Sequence, residues 1–487
     1  MTISIKKLIY SFGILFISLL TYEGIQGGDH SQVSKFIFNF YSLPNYTLAN
    51  LSNEMRFELS HRYIWIIHDF ITYNILKLFL SSESLYFNFI FKFFNGLLLS
   101  IYAFSSIILT YRIFRLSTSH LFATIFVFSI FLGTPVICLL TGFVQESMLL
   151  LLFVLSYHFS KTKYEFILDF LIVSIKPFYF LIIIGKVLSR NSFFSELRYK
   201  VVYIFLLITS WLLLKLLFTG FGEGVNINYD FYLRAYDIEN ILPNFYNIFF
   251  SLSFGLVFTF FLPILFILLG RIRGETSIKI IFFLLLSVFI ATVPYWHGHM
   301  GGNRYLAPAV LIFLPEIVNF IKKFSEYQKL KKLVILYLSL IIIFINLPQL
   351  EFRNTSIYDY IGSSAIIGES VASRYGFEDL DGNYYQINNI GFHPTIFAVG
   401  VFKAKMFNNE FLFNNNRIDE KNIYPATGLG RILYVYENNL NIKYKLPFQI
   451  NKNILLLFSF TYYFVYLFIP IFFLLYAIRK ILIFSKY

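Results

Sequence analysis

Gly27-Gly28-Asp29-His30 is a polar run that stands directly after the first apolar segment of the chain. Two glycines let the backbone turn sharply and let a second molecule approach closely. A carboxylate there can take a proton from a hydroxyl, which makes Asp29 the candidate base. Glu54 and Glu58 lie four apart, on one face of a helix, and are the alternative base. Arg56, His61 and Arg62 are candidate ligands for a phosphate. Each also has a plain reading. Asp29 can cap a helix over Ser31–Phe40, Glu54 and Glu58 can be surface charge, and Arg and His can anchor lipid head groups.

A second polar cluster is Trp296-His297-Gly298-His299-Met300-Gly301-Gly302-Asn303-Arg304-Tyr305. Its glycines allow close backbone approach, and Arg304 offers a fork for phosphate oxygens. His297, His299 and Tyr305 are expected to line the same substrate loop. Two histidines without a nearby acid make a poor metal set, so no metal site is assigned; a divalent cation stays open as a cofactor. Lys176 beside Pro177, and Gln145-Glu146, are polar groups inside apolar segments. Such groups are costly in lipid unless they serve a function or bond across helices. Glu378-Asp379-Leu380-Asp381-Gly382-Asn383 lacks full calcium-loop spacing and reads as an acidic turn. A base, cations and a place near the membrane surface are together what group transfer from a lipid phosphate requires.

These residues have to be held by membrane helices. Of 487 residues, 57% are hydrophobic and only 14% charged, against about 45–50% and about 25% in soluble domains. Apolar runs of roughly 20 residues recur along the chain, which predicts an all-α polytopic membrane protein. The net charge of +13 sits mostly at the ends of apolar runs, as cytoplasmic anchors do, so no nucleic acid partner is expected. The single cysteine, Cys138, lies within an apolar run and excludes a disulfide framework.

Lys6 and Lys7 place the N-terminus inside, ahead of an uncleaved first helix near Leu8–Leu20. The loop 24–86 is then external, with an amphipathic stretch, Tyr63–Leu80, expected to lie along the membrane surface. Spans follow over Phe87–Tyr111, His120–Leu132 and Val136–Ser160. Tyr164–Leu188 has positive charge at both ends and Pro177 in its middle, which predicts two short helices hinged at Ser174–Pro177. Further spans are expected over Val201–Phe218, Ile248–Leu269, Ile278–Val293, Leu306–Ile321 and Leu333–Leu347. A last one follows over Ile454–Ile478. The count is about ten spans plus the broken pair. Residues 1–347 form the membrane module, 348–451 a small external α+β region, and 452–487 the final helix. Every positive cluster falls on the inner side under this count.

The order of these motifs resembles the GT-C superfamily of polytopic glycosyltransferases, which use polyprenyl-phosphate sugars. Asp29 matches the acid of the family's first external loop. Arg304-Tyr305-Leu306-Ala307-Pro308 matches its Arg-Tyr-x-x-Pro loop, and Lys176-Pro177 its lysine-proline break. Ser60-His61-Arg62-Tyr63-Ile64-Trp65 stands where a His-Pro-Pro-type run is expected, but has no proline. Length and the external region before a last span are similar to the serotype-converting O-antigen glucosyltransferases of enteric bacteria and their phages. The resemblance implies an inner-membrane enzyme with its site facing the periplasm. It would move a glucosyl or other hexosyl group from an undecaprenyl-phosphate sugar to a lipid-linked O-antigen or other surface glycan, with inversion. A pathway flippase and a donor synthase are implied partners. An O-antigen polymerase is the rival, but its Arg-x10-Gly pattern fails at Arg304, followed by Pro315, and at Arg234, followed by Phe245. A transporter or flippase is the other rival; the sequence shows no repeated halves.

Overall fold

Proline decides where several helices break. A proline has no N–H to give a helix and its ring clashes with the preceding turn, so it belongs at a helix start. Pro135, Pro177 and Pro308 each open a 3-10 segment, over Pro135–Thr141, Pro177–Tyr179 and Pro308–Phe313. The computed structural model describes residue 37 and residues 63–80, 87–141, 146–160, 162–189, 197–219, 241–251, 255–270, 272, 274–292, 305–346, 376–378 and 384–386.

The described elements are helical apart from one small hairpin. In order they are α1 (Tyr63–Lys77), α2 (Phe87–Arg115), α3 (His120–Phe131), α4 (Glu146–His158), α5 (Lys163–Ile175), α6 (Phe180–Leu188) and α7 (Leu197–Thr219). Then come α8 (Ile241–Phe250), α9 (Leu256–Thr259), α10 (Phe261–Leu269), α11 (Gly274–Ala291), α12 (Leu314–Phe324) and α13 (Lys329–Asn346). The hairpin pairs β1 (Gly376–Glu378) with β2 (Tyr384–Gln386) antiparallel, Phe377 opposite Tyr385. Two stretches, Phe94–Arg115 and Gly274–Ala291, are long and apolar enough to cross a membrane. His120–Phe131, Glu146–His158 and Pro177–Leu188 are apolar but shorter. On α7 and α11, large apolar side chains such as Phe205, Leu213, Ile281 and Leu285 face outward, which suits a lipid surface.

Three expected spans are interrupted. Val136–Thr141 is 3-10 rather than α-helix, and α4 begins only at Glu146. Leu306–Ile321 is likewise split into the Pro308 segment and α12, which Pro315 opens in its first turn. Ile248–Leu269 is divided among α8, α9 and α10, the last restarting two residues before Pro263. In each case the missing proline N–H falls where a helix needs none. Serines bond the carbonyls of the Pro135 segment: Ser100 Oγ donates to Leu140 O and Ser147 Oγ to Leu139 O, both at 2.6 Å.

The amphipathic stretch packs one side on its neighbour. His68 of α1 meets Tyr102 of α2, while Tyr73, further along α1, meets Phe91 and Phe87. These contacts run in opposite directions along the two helices. The buried side of α1 carries Ile66, Asp69, Tyr73 and Leu76.

Aromatic rings lock α3, α10 and α12 together. Phe126 meets Phe266, Phe320 and Phe324 edge-on at 5.4, 5.3 and 5.0 Å, and Phe266 stacks on Phe320 at 4.8 Å. Each such pair adds about 0.5–1.5 kcal/mol beyond its burial. At Gly185, α6 comes so close to α11 that a Cβ would lie 2.6 Å from Phe282 Cβ; only glycine fits that approach. Among the polar ends, Tyr327 OH donates to Leu269 O, tying the α12–α13 turn to the end of α10. Burial, with Glu326 adding to it, raises that phenol above its ordinary range.

Candidate functional site

The Pro177 break carries one half of a largely buried ion pair, and the Pro135 and Pro308 segments pack on the helix that carries the other. Backbone that leaves the helix at membrane depth is tolerated only where protein covers it or where it lines a cavity. The Pro135 segment packs on α2 and α4, the Pro308 segment packs on α4, and the Pro177 segment follows α5. Glu146 is the first residue of α4, where a carboxylate also complements the helix dipole. Lys176 is extended (φ −141°, ψ 100°) between α5 and the Pro177 segment. Its Nζ lies 3.4 Å from Glu146 Oε1 and 5.7 Å from the centre of the Tyr305 ring. Glu146 is 1% exposed and Lys176 is 13%.

Tyr179 fixes the far wall. Its hydroxyl donates to the Tyr305 carbonyl at 2.6 Å across 126 residues of sequence. Phe178 meets the Tyr305 ring edge-on at 5.8 Å, and Phe153 meets Tyr179 at 5.5 Å. The Pro177 break thus holds the residue that follows Arg304. Tyr179→Phe removes the donor and leaves that carbonyl with one bond fewer. The expected cost is about 1–3 kcal/mol in a denaturant or thermal unfolding curve, with a loss of activity greater than the loss of folded protein.

Lys186 and Lys279 provide the contrast. Lys186 Nζ bonds Asp169 Oδ1 and Oδ2 at 2.5 and 2.6 Å and Ser156 Oγ at 2.7 Å, and pairs with Glu165 at 2.9 Å. Tyr203 OH and Ser156 Oγ donate to the same Asp169 carboxylate. Lys279 Nζ bonds both oxygens of Glu316, at 2.9 and 3.1 Å, and Thr276 donates to that carboxylate. An ammonium has three donors to place. Lys186 and Lys279 place theirs on several acceptors. Lys176 Nζ makes no hydrogen bond among the described residues; its contacts are one long ion pair and one ring face. A cation so held keeps donors for an incoming anion.

Sequence reasoning selected Lys176 and Tyr305, and the structure brings them together. It also selected Glu146, without a partner; the partner is Lys176. His68 lies 3.2 Å from both Asp69 Oδ1 and Tyr102 OH, so the costly polar pair of α1 bonds within the protein. Asp29, Glu54, Arg56, Glu58, His61, Arg62, His297, His299 and Arg304 lie outside the described residues. The Lys186 network was missed: Lys186 reads in sequence as one more cytoplasmic anchor. The available signal was Glu165 and Asp169, one helical turn apart in an apolar segment. Among the described residues, no group of three or more His, Cys, Asp and Glu is placed to hold a metal ion.

No family model matches the chain, and neither does any curated protein or solved structure.

Proposed function

We propose that the chain is a multi-pass glycosyltransferase of the bacterial inner membrane, GT-C-like, with about ten spans and a small external α+β region before the last. It transfers a hexosyl group, glucosyl on the resemblance, from undecaprenyl-phosphate sugar to a lipid-linked O-antigen or related glycan on the periplasmic side. The observation that supports this reading is Lys176. It is a largely buried cation with unused donors, at the Pro177 break and beside the residue that follows Arg304. Such a group suits a phosphate in a region of low dielectric, where it counts for more than in water.

In this reading Asp29 takes the proton of the acceptor hydroxyl as that oxygen attacks the anomeric carbon. The bond from that carbon to the phosphate oxygen breaks, and Lys176 with Arg304 carries the charge left on the polyprenyl phosphate. Arg62, Arg56 and His61 lie in the same loop as Asp29 and add cationic or polar character near the head group. A divalent cation on the donor phosphate stays open.

The test is transfer in membranes, from polyprenyl-phosphate glucose to a lipid-linked glycan. The wild type is expected to transfer with inversion, and Asp29→Asn to lose about 10²–10⁴-fold at equal expression. Near-normal transfer by Asp29→Asn moves the base to Glu54 or Glu58. A transporter is the second reading, favoured by the broken segments at Pro135, Pro177 and Pro308, since transporters build sites from interrupted helices. It predicts movement of a lipid-linked substrate across the bilayer with no new glycosidic bond.

A further inference from the structure

We infer that Glu146 is the resident occupant of the anion site, a counter-ion that the phosphate displaces from Lys176 and that then limits how tightly the phosphate is held. The inference rests on the glycosyltransferase reading above and extends it to Glu146, which that mechanism does not use.

Glu146 is fixed by its element. It is the first residue of α4, and the Ser147–Leu139 bond just beside it anchors its backbone. It is 1% exposed. Lys176 has the longer stem, on an extended residue between two helical segments. At 3.4 Å the pair is longer than a charge-assisted hydrogen bond of about 2.7–2.9 Å. Lys186 and Lys279 are within that shorter range of their carboxylates or near it. The pair is therefore a loose one, next to two tight ones, in the same molecule.

A phosphate that reaches Lys176 brings a second anion toward a cation already facing a carboxylate. The two anions repel across a poorly screened space. Glu146 thereby does two things. It keeps the empty site from holding an unbalanced buried cation, which would be costly. It also weakens the hold on the polyprenyl phosphate left after transfer, so that this product leaves. Glu146 is a positioning residue in this account, since it acts through Lys176.

The experiment is equilibrium binding of undecaprenyl phosphate to the purified full-length protein, with transfer rates measured on the same samples. Glu146→Gln keeps the shape and removes the charge. It is expected to bind undecaprenyl phosphate about tenfold or more tightly and to turn over more slowly, with a lower KM for the donor. A merely structural role would give weaker binding and no fall in KM. Glu146→Asp draws the carboxylate back by one methylene. It is expected to shift binding the same way by less, and it serves if the amide variant does not fold. Wild-type binding with equal or weaker binding in the variants overturns the role of Glu146 alone. Binding by neither the wild type nor the variants overturns the phosphate reading of the site along with it.

Discussion

Replacing Lys176 by Met in a Glu146→Gln background is expected to lower hexosyl transfer by about 10²–10³-fold, the usual result of removing one group that meets charge developing in a transition state. The second substitution prevents a lone buried carboxylate, which would confuse lost catalysis with lost folding. Exchange of a buried ion pair for neutral groups of similar volume is often neutral for stability. The unfolding midpoint should therefore stay near that of the wild type while transfer collapses. The measurement is initial rate against donor concentration, with thermal unfolding of the same preparation. A fall in stability without a fall in rate per folded molecule would make the pair structural.

The opposite outcome is expected at Lys186. Lys186→Met leaves Asp169 and Glu165 buried without the cation they share, at 0% and 2% exposure. Removing one partner of a buried pair costs about 3–5 kcal/mol, a large share of the stability of most domains. Ser156 and Tyr203 would still donate to Asp169, but neither carries charge. Denaturant unfolding should show the loss, and transfer per folded molecule should hold. The two lysines stand only ten positions apart in sequence, so opposite outcomes would separate site from scaffold within one helical pair.

What sequence alone made legible follows from chemistry that acts locally. The break at Lys176–Pro177 was readable because proline forbids a continuous helix whatever packs around it. Pro135 and Pro308 carried the same information, yet apolar continuity suggested whole spans there; the missing N–H outweighed hydropathy. Lys176 and Tyr305 stood out as a cation in an apolar segment and an aromatic in a polar loop. Their meeting was not legible, since it depends on Tyr179 reaching the Tyr305 carbonyl across the fold. The stance of α1 was hidden for a related reason. His68 and Asp69 argue against burial when taken alone, and bonds such as those to one another and to Tyr102 make burial tolerable. Asp29 and Arg304 rest on sequence, outside the described residues.

Lys176 as a ligand of the donor phosphate is the central claim, and its most direct measurement is a structure of the protein in lipid nanodiscs with undecaprenyl phosphate bound. The result it predicts is a phosphate oxygen about 2.7–2.9 Å from Lys176 Nζ, with the lysine turned from Glu146 toward it and the Tyr305 ring alongside. A phosphate seated elsewhere, with the Lys176–Glu146 pair still closed, would contradict it.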